Sequence, residues 1–192
     1  MSRRMGANKM LLPFGGGTVL GAVIEKLTAS GVAAPILVVT GHAAEEIENV
    51  AKNYPGVQCV FNAQYESGGM LSSVQAGVRG LPLDCKAFFI ALGDQPMIAV
   101  DTVRELNARW SRSDDMIAVP VCSGKRGHPV LLSGDLRQEI LQLEEPDTLK
   151  TIMVCHAGRI HGVEVNDQAT LLDLDTPEDY ELALGEDVKV NV

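Results

Sequence analysis

The run Ile36-Leu37-Val38-Val39-Thr40 is apolar at consecutive positions, and so is Ala87-Phe88-Phe89-Ile90-Ala91-Leu92. A strand with one face in water alternates apolar and polar side chains, so unbroken runs of this length mark strands covered on both faces, as in parallel sheets. Helical patterns fall between them. Thr18 can cap a helix through about Ser30, with Val19, Val23, Ile24 and Leu27 on one face and Gly31 as its stop. From 43 to 53, Glu45, Glu46 and Glu48 stand against Ile47, Val50 and Ala51, the pattern of a surface helix lying on a sheet. Further strands are expected at Val57–Phe61 and Met116–Pro120, and further helices near 70–79 and 101–112. This alternation predicts an α/β chain of three layers, Rossmann-like, around a mostly parallel sheet. Beyond residue 120 the pattern loosens. Strands at 129–132 and 160–165 surround helices near 134–143 and 147–157, so the sheet is expected to become mixed. Thr176, Pro177 and the acidic third position after the cap open a last helix.

A length of 192 residues supports one domain spanning 1–192 with a single substantial core. The formal net charge of −9 argues against nucleic acid as a partner, because phosphodiester backbones are held by clustered Lys and Arg. The one dense basic cluster is Arg3, Arg4 and Lys9, beside glycines, and it suits a small phosphorylated ligand better. Cys59, Cys85, Cys122 and Cys155 lie far apart with no Cys-x-x-Cys or Cys/His pairing, which points to reduced, packed thiols rather than structural zinc. No apolar stretch approaches the roughly 20 residues that cross a bilayer, and the start has no signal-peptide core, so a cytoplasmic protein with no membrane partner is expected.

In open α/β sheets, ligands gather beyond the carboxyl ends of the strands. Asp94, in Gly93-Asp94-Gln95-Pro96, follows the most apolar strand, where a carboxylate can hold Mg²⁺; the same four residue types also make an ordinary turn. If Asp173 and Asp175 lie in a strand, both point to one side and both can face the metal; one of them can instead brace the turn. Glu178 and Asp179 are explained as favourable charges in a first helical turn. The stretch 62–77 is rich in amides and small residues ahead of a helix, so its hydroxyls and N–H groups either read a nucleotide or cap the helix. His128, before Pro129, is either a ligand contact or a turn residue.

The segment Ser2-Arg3-Arg4-Met5-Gly6-Ala7-Asn8-Lys9, with Leu11-Leu12-Pro13 and Gly15-Gly16-Gly17 behind it, resembles the signature loop of the molybdenum-cofactor cytidylyl- and guanylyltransferases. Four further segments resemble that family in order: 62–77, Gly93-Asp94-Gln95-Pro96, Arg126-Gly127-His128-Pro129 and Asp173-Leu174-Asp175-Thr176-Pro177-Glu178-Asp179. The resemblance implies a nucleotidyltransferase fold and a Mg²⁺-dependent transfer of CMP from CTP to a phosphorylated acceptor, molybdopterin, with pyrophosphate leaving. It implies catalytic Lys9 and Arg4, nucleotide contacts from Ser2, Arg3, Gly6, Gly69, Ser72 and Ser73, and acceptor contacts from Arg126, Gly127 and His128. It implies metal ligation by Asp94 with Asp173 or Asp175, and a molybdoenzyme maturation partner. The glutamine in Gly-Asp-Gln-Pro is similar to the cytidylyl branch; transfer of GMP, or transfer to a sugar phosphate, is the alternative chemistry. Family members begin with an apolar strand and a Leu-Ala-Ala-Gly-like segment ahead of the serine, whereas this chain opens at Met1-Ser2, so the first strand is expected to be missing. A nucleotide- or cofactor-binding protein without turnover is therefore the alternative from another class. The resemblance weakens between Glu144 and Gly158, which leaves the acceptor open.

Overall fold

The computed structural model describes residues 8–190, with side chains through 185. The expected nucleotide and catalytic residues Ser2, Arg3, Arg4 and Gly6 lie outside the described residues. A 3-10 turn at Lys9–Leu11 leads into a short hairpin, β1 (Pro13–Phe14) and β2 (Gly17–Thr18), and then α1 (Val19–Ser30). There follow β3 (Ile36–Thr40), α2 (Ala44–Ala51), β4 (Val57–Phe61), α3 (Gly69–Gly80), β5 (Ala87–Ile90) and α4 (Val100–Trp110). The second half holds β6 (Ile117–Cys122), β7 (Lys125–Arg126), β8 (Val130–Ser133), α5 (Arg137–Gln142), α6 (Leu149–Cys155), β9 (Ile160–Glu164) and α7 (Pro177–Val190). No described helix is long and apolar enough to cross a membrane.

Local chemistry sets the boundaries. The Thr18 hydroxyl accepts from the Gly21 N–H at 3.1 Å and starts α1, and Gly31 ends it at φ +70°, where a side chain would be strained. At the other end of the chain, the Thr176 hydroxyl accepts from the Asp179 N–H at 3.2 Å while Asp179 Oδ2 accepts from the Thr176 N–H at 2.8 Å, a reciprocal capping box. The Thr176 hydroxyl also donates to Asp179 Oδ2 at 2.8 Å, and this bond first, with the backbone N–H of Thr176, holds the Asp179 carboxyl below its usual range.

β6 is the spine of a mixed five-stranded sheet. It pairs with β9 in parallel, Ile117 opposite Ile160, and antiparallel with β8, Ile117 opposite Leu132, and with β7, Cys122 opposite Lys125. Pro120 falls between the β8 and β7 pairings, where a missing N–H donor is tolerated. β5 joins the sheet through β8, antiparallel, with Phe88 opposite Leu132. Side chains alternate across it. Ile117, Val119, Val130 and Leu132 bury one face against α3, α5 and α6 through Val78, Ile140 and Ile152. Ala118, Leu131 and Val163 bury the other against Leu106 of α4.

The sequence leads to one continuous sheet; the described residues hold two main ones, beside the small β1–β2 hairpin. Among the described residues, β3 and β4 pair only with each other, in parallel, with Ile36 opposite Val57. α1 and α2 cover this pair through Leu20, Ile24 and Ile47. Apolar runs specify coverage but not partners, and pairing between strands is set by contacts far apart in sequence.

Candidate functional site

Four segments remote in sequence meet where β5 ends. Asn8 caps the first turn by accepting from the Met10 N–H at 3.2 Å, and this fixes where Lys9 projects. Met10 and Leu11 pack with Leu20, Ile24 and Ile47, so Lys9 is rooted in the β3–β4 half. Its ammonium reaches across to the other half, 2.5 Å from Asp94 Oδ2 and 2.8 Å from Asp175 Oδ1. The turn that carries Asp94 is stitched to the segment that carries Asp175, because the Leu174 N–H donates to the Asp94 carbonyl at 3.1 Å.

Lys9 and Asp94 are about 15% exposed at their side chains, Asp175 59%, so the charged cluster is open on one side. Burial disfavours the Lys9 ammonium, but the hydrogen bonds to Asp175 and Asp94 and their charges outweigh it and raise its pKa above the ordinary lysine value. Two carboxylates that together hold one ammonium are a donor set for a hard cation, which takes oxygen ligands. Among the described residues no three His, Cys, Asp or Glu side chains converge as a metal cage, so any ion here needs ligands from a substrate as well.

Asp173 and Asp175 do not share one side, as a strand would require. Residues 172–176 form no strand, and the Asp175 N–H donates back to the Asp173 carbonyl at 3.0 Å, which turns the two carboxylates apart. Asp173 Oδ1 accepts from Gln95 Nε2 at 2.7 Å instead. Gln95 is 2% exposed, and its Oε1 has no partner among the described residues. Thr170, fully buried, is the knot beneath them: its carbonyl accepts from the His128 N–H at 2.9 Å and from Gln95 Nε2 at 3.5 Å. A Cβ on Gly127 would sit 2.3 Å from that carbonyl oxygen, so the approach needs glycine. His128 is half-buried; burial lowers its pKa, against the pull of Asp173 and Asp94. Arg126, on β7, is exposed.

The loop after β4 is organised by Asn62, 4% exposed, whose Nδ2 donates to the hydroxyls of Ser72 at 2.8 Å and Ser73 at 3.1 Å. Ser72 is buried and spent on this bracing, whereas Ser73 borders a cavity of about 770 Å³ that also touches Asn8, Gly93 and His128. Gly69 opens α3 at φ +54° with open space where a Cβ would be. The expected Lys9, Asp94 and Asp175 are thus brought into contact, and Asp173 and His128 flank them. Ser73 shares the cavity. The structural parts played by Gln95, Asn62 and Thr170 were not read from sequence; Gln95 and Asn62 are at least polar residues at strand ends, while Thr170 acts through a carbonyl that any residue carries.

Comparison with known proteins bears on the family and the fold. Residues 1–160 match the MobA-like NTP transferase domain. The molybdenum cofactor cytidylyltransferase of Escherichia coli (strain K12) is 30% identical over 181 residues, 94% of this chain and 88% of that protein. Purine catabolism protein PucB of Bacillus subtilis (strain 168) is 30% identical over 190 residues, 94% of this chain and 90% of that protein. Among solved structures, a nucleotidyl transferase from Methanothermobacter thermautotroptrophicus superposes with a TM-score of 0.81 at 25% identity, covering 96% of this chain and 87% of that one.

Proposed function

The chain belongs to the MobA-like NTP transferase family and is a nucleotidyltransferase, and from that premise we propose that it transfers CMP from CTP to molybdenum-loaded molybdopterin. A phosphate oxygen of the acceptor attacks the α-phosphorus of CTP; a new P–O bond forms as the bond to the bridging oxygen breaks, and pyrophosphate leaves with its electron pair. No covalent intermediate on the protein is required. Positioning and charge neutralisation carry the rate.

The observation that carries this reading is the Lys9 ammonium held between Asp94 and Asp175. Cation and carboxylates from opposite halves of the molecule are what a metal-bound triphosphate needs on its two sides. Asp94 and Asp175 would hold Mg²⁺, which binds through one or two carboxylates plus substrate phosphates and would neutralise charge on the triphosphate. Asp173, held by Gln95, braces the turn. Lys9 supplies positive charge to the phosphates, and the family resemblance gives Arg4 the same part and Ser2, Arg3 and Gly6 contacts to the nucleotide. Ser73, with Gly69 and Ser72 shaping its loop, faces the nucleoside. Arg126, Gly127 and His128 form the acceptor side, and a neutral His128 can accept or donate one hydrogen bond there.

Pyrophosphate release and the mass of the acceptor product, measured with each of the four triphosphates and Mg²⁺, test the reading. CTP should give both signals. Turnover with GTP alone would make the protein a guanylyltransferase, and tight CTP binding with no pyrophosphate from any triphosphate would make it a binding protein.

A further inference from the structure

The Lys9 ammonium fills the place that the carboxylates of Asp94 and Asp175 face. It lies 2.5 Å from Asp94 Oδ2 and 2.8 Å from Asp175 Oδ1, so both oxygens already hold a cation. A divalent ion bound to the same oxygens would meet the ammonium within a few ångströms, where like charges repel. Nor would it find compensation nearby: two carboxylates less one ammonium leave a single negative charge, and no three Asp, Glu, His or Cys side chains converge among the described residues. Mg²⁺ sheds its water reluctantly and needs more than that. The ammonium is also hard to push aside unaided. Its side chain is 15% exposed, so leaving the carboxylates without a new anion would strand a partly buried charge. It can move when an anion is offered. Asn8 fixes the turn, and Met10 and Leu11 anchor it to Leu20, Ile24 and Ile47, while the four-carbon stem of Lys9 rotates about its own bonds. Asp175, 59% exposed, leaves one side of the cluster open to an incoming ligand.

We propose that Lys9 gates the metal: without nucleotide its ammonium closes Asp94 and Asp175 to a divalent cation, and the triphosphate opens them by drawing the ammonium onto itself. The inference rests on the reading of Asp94 and Asp175 as metal ligands and adds the order in which the site fills. The phosphates offer the ammonium a new partner as it leaves. The freed carboxylates then face a divalent ion together with phosphate oxygens, the mixed ligand set that Mg²⁺ favours. Metal and nucleotide therefore bind with positive coupling, and by linkage each raises the other's affinity by the same factor. A protein without the ammonium loses that coupling for a specific reason: its carboxylates are open from the start. Lys9 thus has two roles that a neutral side chain separates, since Lys9→Met weakens the hold on triphosphate while it strengthens the hold on bare metal.

Equilibrium dialysis with Mn²⁺ as the probe tests the gate without any turnover. With no nucleotide present, Lys9→Met should retain Mn²⁺ at least about tenfold more tightly than the unaltered protein, within the usual range of coupling between sites. Lys9→Gln, neutral and polar, should do the same, so the outcome does not hang on the folding of one variant. Lys52→Gln removes an exposed positive charge at the C-terminal end of α2 and should change Mn²⁺ affinity less than about twofold, because solvent and salt screen it. Equal affinity in the unaltered protein and both Lys9 variants, or an equal gain from Lys52→Gln, overturns the gate. Crystals of the unaltered protein soaked in Mn²⁺ alone should show no anomalous peak on Asp94 and Asp175; a peak bonded to both with the ammonium in place overturns it as well. Adding Asp94→Asn to Lys9→Met should abolish the gain, and a gain that survives overturns both the gate and the choice of ligands. If the gate fails while CTP-dependent retention of Mn²⁺ is lost in Asp94→Asn, the choice of ligands stands.

Discussion

β6 and β3 are alike in sequence and unlike in the molecule. Ile117, Ala118 and Val119 are at most 1% exposed and covered on both faces, and Ile117 and Ala118 are paired on both edges. Ile36, Leu37, Val38 and Val39 are equally apolar yet only half-buried, and they line the cavity. An apolar run therefore states what a strand requires of its surroundings, and the rest of the chain decides whether the requirement is met. The catalytic candidates straddle this divide: Lys9 is rooted on the β3 side, Asp94 and Asp175 on the β6 side.

Truncation should expose the contrast most strongly. Ile117→Ala leaves a hole in close-packed surroundings and should cost about 3–5 kcal/mol in urea unfolding. Leu37→Ala enlarges a space that already exists and should cost only about 1 kcal/mol; equal losses would erase the distinction between the halves. Across the divide, Lys9→Ala should lower turnover about 10²–10³-fold, the scale for losing one electrostatic contact to a developing charge. Folding should survive that change, and undiminished turnover would reduce Lys9 to a structural tie. Glycines sharpen the comparison on a smaller scale. Gly127→Ala drives a methyl into the Thr170 carbonyl and should cost about 1–3 kcal/mol. Gly77→Ala would meet only Val39 Cγ2, at 3.1 Å, and Val39 can yield into the cavity. Better helix propensity should then make Gly77→Ala neutral or stabilising by up to about 1 kcal/mol in chemical denaturation.

The smallest effects are in pH. Burial depresses the His128 pKa, so as pH falls below the ordinary value of 6.5 the unfolded chain takes a proton that folded His128 refuses. Stability should decline there and level off once the folded-state pKa is passed, and His128→Gln should flatten that slope. The raised Lys9 pKa has the opposite consequence. Its contribution is fully present below 10.5 and is lost only as pH rises through the higher folded value. Urea midpoints recorded across pH would read both.

Most elements of the fold could be read from local chemistry. Thr18 and Gly31 bound α1 as their side-chain and backbone preferences require, and Thr176 with Asp179 does the same for α7. The Lys9–Asp94 contact was legible only because two short patterns, far apart in sequence, resembled parts of one family's site. The division of the sheet was not legible, since nothing within Ile36–Thr40 names its neighbour. Nor was the divergence of Asp173 and Asp175, because strand alternation does not hold where a backbone bond from Asp175 N–H to the Asp173 carbonyl forms a tight turn. The part played by Thr170 escapes side-chain reasoning altogether.

Crystals grown with CTP and Mn²⁺ in place of Mg²⁺ would locate the ion directly by its anomalous signal. A peak bonded to Asp94 and Asp175, with the Lys9 ammonium moved onto the triphosphate, is expected. A peak on Asp173 without Asp175, or an ammonium still lodged between Asp94 and Asp175 while nucleotide is bound elsewhere, would contradict the assignment of this cluster as the nucleotidyl-transfer site.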